Sequence, residues 1–147
     1  MSLSNHRFSR DQLRQGGGLG NGNDHFDELV GASGLEARQL TQLEEFGLLQ
    51  PGRLGDVAYY DEDALAVCRP CGALWDAGLD PRNLRMYLVS AQREAGVYEQ
   101  LLLPLLKQRR AESRHEATER LGQVVDLGAE LHATLLRRLL REAFRPS

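Results

Sequence analysis

A mainly α-helical fold of the winged helix-turn-helix kind, with a small β-hairpin wing, further helices and a long C-terminal helix, is predicted by three observations. Phe26, Leu29 and Val30 and then Leu35, Leu40 and Leu43 repeat at helical spacing on either side of Ser33-Gly34. Pro51-Gly52 and Gly55 then punctuate a short segment that returns through Val57 to Tyr60, as a two-stranded hairpin requires. Finally, Glu112 to Phe144 holds an unbroken heptad-like stripe with only Gly122 and Gly128 as weak points.

At 147 residues the chain suffices for one domain with a proper core and an added helical element. Residues 1–25 form a polar, glycine-rich segment, 26–108 the winged domain, and 109–147 a long helix for dimerisation or fold-back. In the first segment, Ser9 followed by Gln12 has capping-box spacing and predicts a short helix, and the run at 16–24 predicts a linker. The first winged helix ends near Gly34, and a second runs from Leu35 to Phe46 and stops at Gly47. Asp61 is the expected N-cap of the next helix, with Glu62 and Asp63 favoured in its first turn by the helix dipole. Pro70 and Gly72 predict a kink or break near Arg69. Gly78 ends that helix and Asp80-Pro81 starts another, whose buried stripe is Leu84, Tyr87, Leu88 and Ala91 and which ends at Gly96. Val97 to Gln108 reads as a separate helix containing Pro104.

Charge is the anomaly. The net charge of −3 conceals a segment, Phe26 to Asp63, with nine acidic residues against two basic ones, Arg38 and Arg53. Affinity for nucleic acid comes largely from cations that neutralise phosphates, so a surface of this sign forfeits that contribution. Arg82, Arg85 and Arg93, and the cluster Lys107, Arg109, Arg110 and Arg114, are the remaining candidates for phosphate contact; a solvated face, or one that neutralises the acidic segment of a second subunit, explains them better.

The order of helix, turn, helix ending EEFGLLQP, wing, YYDEDAL and then GLDPRNLRMYL resembles the MerR family of bacterial transcription regulators, through Glu44, Gly47, Leu48, Leu49, Pro51, Tyr60, Asp63 and Leu65. DNA-reading members carry an arginine and aromatic residues where this chain has Thr41-Gln42-Leu43, and a wing arginine where it has Val57-Ala58-Tyr59. The chain is more narrowly similar to the carboxy-terminal winged half of actinobacterial MerR-like regulators, in which a conventional reader precedes a degenerate second module. The resemblance implies transcriptional regulation by a dimerising or effector-sensing module that does not itself grip DNA strongly, acting on DNA directly or through an attached reader domain. It also implies a homodimer, with Leu121, Val124, Leu131 and Leu135 contributing. An effector, a small molecule or a protein, would meet Tyr60, Trp75 and Tyr87. The alternative is a self-sufficient DNA-binding regulator that reads through Arg38, Gln42 and Arg53.

Other chemistries are weakly signalled. Cys68-Arg69-Pro70-Cys71 has redox and metal spacing, but His6, His25, His115 and His132 are not paired to complete a metal site, and a redox motif wants its first cysteine at a helix N-terminus. The glycine run lacks the lysine and preceding strand of a phosphate cradle. Glu44-Glu45 and Asp61 to Asp63 serve as helix termini, with no nucleophile or base at a catalytic spacing. No enzyme activity, cofactor or metal is expected. No apolar run is long enough to span a membrane and no secretory apolar core is present, so a cytoplasmic location without membrane partners is expected.

Overall fold

In a computed structural model, residues 23–108 and 110–147 are described. The expected helix at Ser9, nearly all of the glycine run and Arg109 lie outside them. The element order is α1 (Asn23–Ser33), α2 (Ala37–Glu45), β1 (Gly52–Leu54), β2 (Val57–Tyr59), α3 (Glu62–Asp76), α4 (Pro81–Leu106) and α5 (Ala111–Ala143). The expected mainly helical winged fold is therefore present. Asn23 and Asp24, assigned to the linker from sequence, already belong to α1.

Local chemistry accounts for the boundaries. Gln39 Oε1 accepts from the Glu36 N–H at 2.9 Å, the returning half of a capping box at the start of α2. The helix closes as a Schellman motif: Gly47, at φ 78°, donates to the Glu44 carbonyl at 2.9 Å, and Leu48 donates to the Leu43 carbonyl at 2.9 Å. Only glycine takes that φ without strain, and Gly78 at φ 98° closes α3 in the same way. Asp61 Oδ1 accepts from the Ala64 N–H at 2.9 Å as the expected N-cap of α3, and Asp80 Oδ1 accepts from the Arg82 N–H at 2.9 Å at the start of α4.

Of the kink or break expected in α3 the break is absent, and the break expected at Gly96 is corrected. α3 runs through Pro70 without a break, and α4 is one helix of 26 residues instead of two parted at Gly96. Pro70 and Ala66, the residue whose carbonyl loses its donor, are both exposed, so water can satisfy that carbonyl. Gln100, which stands in the same relation to Pro104, is exposed as well. A solvent-facing Gly96 costs only about 1 kcal/mol relative to alanine, too little to stop a helix anchored at both ends. The buried stripe expected on α4 is also narrower: Leu84 is buried and Leu88 half-buried, whereas Tyr87 and Ala91 are exposed.

The chain divides into two compact units, Met1–Ser90 and Ala91–Ser147, with the division inside α4. The first unit's core is Leu29, Leu35, Leu40, Leu43, Leu49, Ala64, Cys68, Cys71 and Leu84, drawn from α1, α2, α3, the start of α4 and their connections. The hairpin is antiparallel, with Gly52 opposite Tyr59, Arg53 opposite Ala58 and Leu54 opposite Val57. In the second unit, the rest of α4 packs on α5 with Leu102, Ser113 and Ala117 buried. There the Tyr98 hydroxyl bonds to Glu94 and lies 3.5 Å from the Val124 carbonyl, so close to Gly128 that any side chain there would collide with it. None of the described helices is long and apolar enough to cross a membrane.

Candidate functional site

In a winged helix-turn-helix the solvent side of the second helix and the hairpin form the reading surface. Here α2 turns Leu40 and Leu43 fully inward, which leaves Ala37, Arg38, Thr41 and Glu45 exposed. Gln42 is half-buried. On the hairpin, Arg53 and Asp56 are exposed and Leu54 is 74% exposed, an apolar side chain near the tip where a phosphate-gripping wing would need a cation. Of the nine acidic residues from Asp27 to Asp63, only Glu44 is half-buried and the others are exposed. The sequence's acidic excess is therefore a surface property of this unit.

Two of the remaining cations are already engaged. Arg82 forms an ion pair with Asp80 at 3.1 Å, and its hydrogen bonds hold the Asp80 carboxyl below the usual carboxylate range. Arg85 Nη1 donates to the Phe46 carbonyl at 2.9 Å, so a cation from α4 caps the C-terminal end of α2, where the helix dipole favours positive charge. This contact joins residues 39 apart in sequence, and no local pattern announces it.

Glu44, prominent in the sequence pattern, plays a structural part. It accepts a hydrogen bond from the Tyr60 hydroxyl and so ties the end of α2 to the residue after β2. The Phe26 ring lies 6.2 Å from that of Tyr60, tilted by 58°. Burial first, and then the Glu44 hydrogen bond, push the Tyr60 phenol well above its ordinary value. Tyr60 and Trp75, two of the three expected effector-contacting aromatics, pack against the core cluster, while Tyr87 is 44% exposed on α4.

Cys68 and Cys71 are free and buried within the same core. Burial, with a smaller contribution from Cys71, pushes the Cys68 thiol up to about 11, and burial raises Cys71 as well. Thiols kept protonated and out of solvent are poor nucleophiles. Ellman's reagent at pH 8 should therefore find no fast-reacting thiol in the native protein and two after unfolding in guanidinium; rapid native reaction would contradict this burial.

Alkaline stability should follow the same groups. Each folded pKa lies above its unfolded one, so the contribution is complete below the unfolded pKa and is lost as pH rises through the folded value. Cys68 should begin the decline near pH 9 and Tyr60 should add to it from about pH 10. Denaturant titrations of Tyr60→Phe should lose the second component and keep the first.

On α5, Leu121 (37% exposed), Leu131 (60%) and Leu135 (37%) lie along one line of the helix, and Val124, on the same line, is half-buried. Leu127 and Leu139, also in the expected stripe, are 64% and 57% exposed. The stripe therefore exists and is mostly uncovered in a single chain.

The model of the Rv1828-like C-terminal domain family matches residues 25–144. The chain belongs to this family. Its boundaries run from the first turn of α1 to just past the end of α5, so the match takes in parts of both compact units. Similar curated proteins are the uncharacterized HTH-type transcriptional regulators Rv1828 of Mycobacterium tuberculosis and Mb1859 of Mycobacterium bovis, each 28% identical over 116 residues, 79% of this chain and 46% of the relative. The chain thus spans about half the length of the curated relatives it matches. Within this Rv1828-like domain, the sequence pattern marked Glu44 and Tyr60 as individual positions; their bond was missed because it crosses from helix to hairpin.

Proposed function

We propose that the chain acts in transcriptional regulation as the dimerising and effector-sensing winged module of a MerR-like regulator, with contact to DNA supplied chiefly by an attached reader domain. The observation that carries this reading is the sign of the surface in the reading position. The exposed acidic residues Glu36, Glu45 and Asp56 outnumber Arg38 and Arg53 on α2 and the hairpin, while Arg82 is paired with Asp80 and Arg85 donates to the Phe46 carbonyl. The names of the relatives and the family's designation as a C-terminal domain support it. Homodimerisation is assigned to the α5 stripe at Leu121, Val124, Leu131 and Leu135, whose exposed leucines call for a partner surface. Effector contact is assigned to Tyr60, Trp75 and Tyr87; the first two pack on the core, so a ligand that displaced either ring would be felt directly by α2.

Fluorescence polarisation with mixed-sequence duplex DNA at low salt tests the proposal. The chain should show no binding into the tens of micromolar. Salt-sensitive micromolar binding that is lost in Arg38→Ala with Arg53→Ala would instead establish a self-sufficient reader.

A further inference from the structure

The last turns of α5 carry a second surface, distinct from the stripe assigned to dimerisation. Residues four apart stack along one side of a helix, and each step of one residue turns it by about 100°. Leu131, Leu135 and Leu139 form one row. Leu136, Leu140 and Phe144 form another, about 100° further round, with 46%, 47% and 82% of each exposed. A further step brings Arg137 and Arg141, so the second apolar row is bordered by arginines, and Arg145 follows just beyond the end of α5. Arg137, Leu140, Arg141 and Phe144 line an open cleft. From Leu131 to Arg145 there are four arginines, among them Arg138, against one acidic residue, Glu142, before the closing Arg145.

The complementary surface is the hairpin of the first unit. Leu54 lies opposite Val57 and Gly52 opposite Tyr59, so Leu54, Val57 and Tyr59 share one face. Leu54 and Tyr59 are 74% and 41% exposed, Asp56 stands exposed in the turn, and the surrounding segment holds the nine acidic residues. One surface is apolar and cationic; the other is apolar with Asp56 in its turn, the hairpin's one cation, Arg53, pairing with Ala58 on the opposite face.

We infer that the Leu140–Phe144 end of α5, with Arg137 and Arg141, docks on the wing of a second copy of this chain at Leu54, Tyr59 and Asp56. In a two-fold dimer the contact is made twice, each wing receiving the other copy's helix end. Apolar contact supplies the attraction and the opposite charges set the register. The inference rests on the proposal that two copies associate, but not on which residues form their main seam. It also gives the wing a protein partner in place of DNA.

Mixed-copy cross-linking tests it. Leu54→Cys in one copy and Phe144→Cys in a copy bearing a heavier tag should form an inter-copy disulfide at least tenfold faster than Leu54→Cys paired with the exposed control Glu99→Cys. The buried Cys68 and Cys71 will not compete. Arg137→Glu with Arg141→Glu in the Phe144→Cys copy should abolish the product, and Asp56→Arg in the Leu54→Cys copy should restore it. Sedimentation on the same samples separates the outcomes. A wild-type dimer with no preferential cross-link overturns this inference and leaves dimerisation standing, whereas a monomer at all concentrations overturns both. A disulfide that forms within a single Leu54→Cys, Phe144→Cys chain, but not between copies, also overturns it.

Discussion

Leu40→Ala is expected to lower the stability of the winged unit by about 2–5 kcal/mol, the range for deleting a fully buried leucine side chain in a packed core. Leu40 is 0% exposed on the inner side of α2, in the cluster that includes Leu43, Leu49, Cys68 and Leu84. A cavity there cannot close easily, because α2 is fixed at both ends: by the Gln39 bond to the Glu36 N–H, and by the glycine closure with Arg85 on Phe46. The chain's one tryptophan, Trp75, packs against the same cluster, so its fluorescence reports unfolding of this unit specifically. Urea titration should shift the midpoint down with little change in slope. Arg38→Ala, on the exposed side of the same helix, should stay within about 0.5 kcal/mol of the parent. If Leu40→Ala cost less than about 1 kcal/mol, the packing described for α2 would be wrong.

The parts of the fold legible in the sequence are those fixed by local chemistry. Gly47 and Gly78 ended their helices, and Asp61 and Asp80 began theirs, because capping depends on residues within three or four positions. The hairpin followed from Pro51-Gly52 and Gly55 and formed with β2 at Val57–Tyr59. Sequence reasoning failed where a local penalty had to be weighed against the rest of the molecule. Pro70 and Gly96 disfavour a helix, yet α3 and α4 span them, because each lies where the cost is met by water and not by a buried orphan. The site was legible in sign and in outline but not in its connections. The acidic excess of the winged segment could be counted, and its exposure follows from the general cost of burying charge. That Glu44 holds Tyr60, and that Arg85 donates to the Phe46 carbonyl, required tertiary contacts that no spacing rule encodes.

Leu131→Glu combined with Leu135→Glu is expected to raise the dissociation constant of the proposed dimer at least about a hundredfold. The two leucines are 60% and 37% exposed in the single chain, so the change should cost the isolated chain little. In a two-fold dimer each substitution occurs twice, and burial is worth about 25 cal/mol per Å² of apolar surface, so four lost leucines exceed the roughly 3 kcal/mol that corresponds to a hundredfold. The introduced carboxylates would also face one another across the interface. Of the proposed seam, Leu131 and Leu135 lie beyond the Val124 carbonyl and Gly128, where the Tyr98 hydroxyl makes its contact within the chain, so their substitution spares that contact. Circular dichroism should show helix content retained while sedimentation velocity moves from dimer to monomer. Association of undiminished strength, with the variant folded, would place the contact between copies on another surface and leave this row solvated by default.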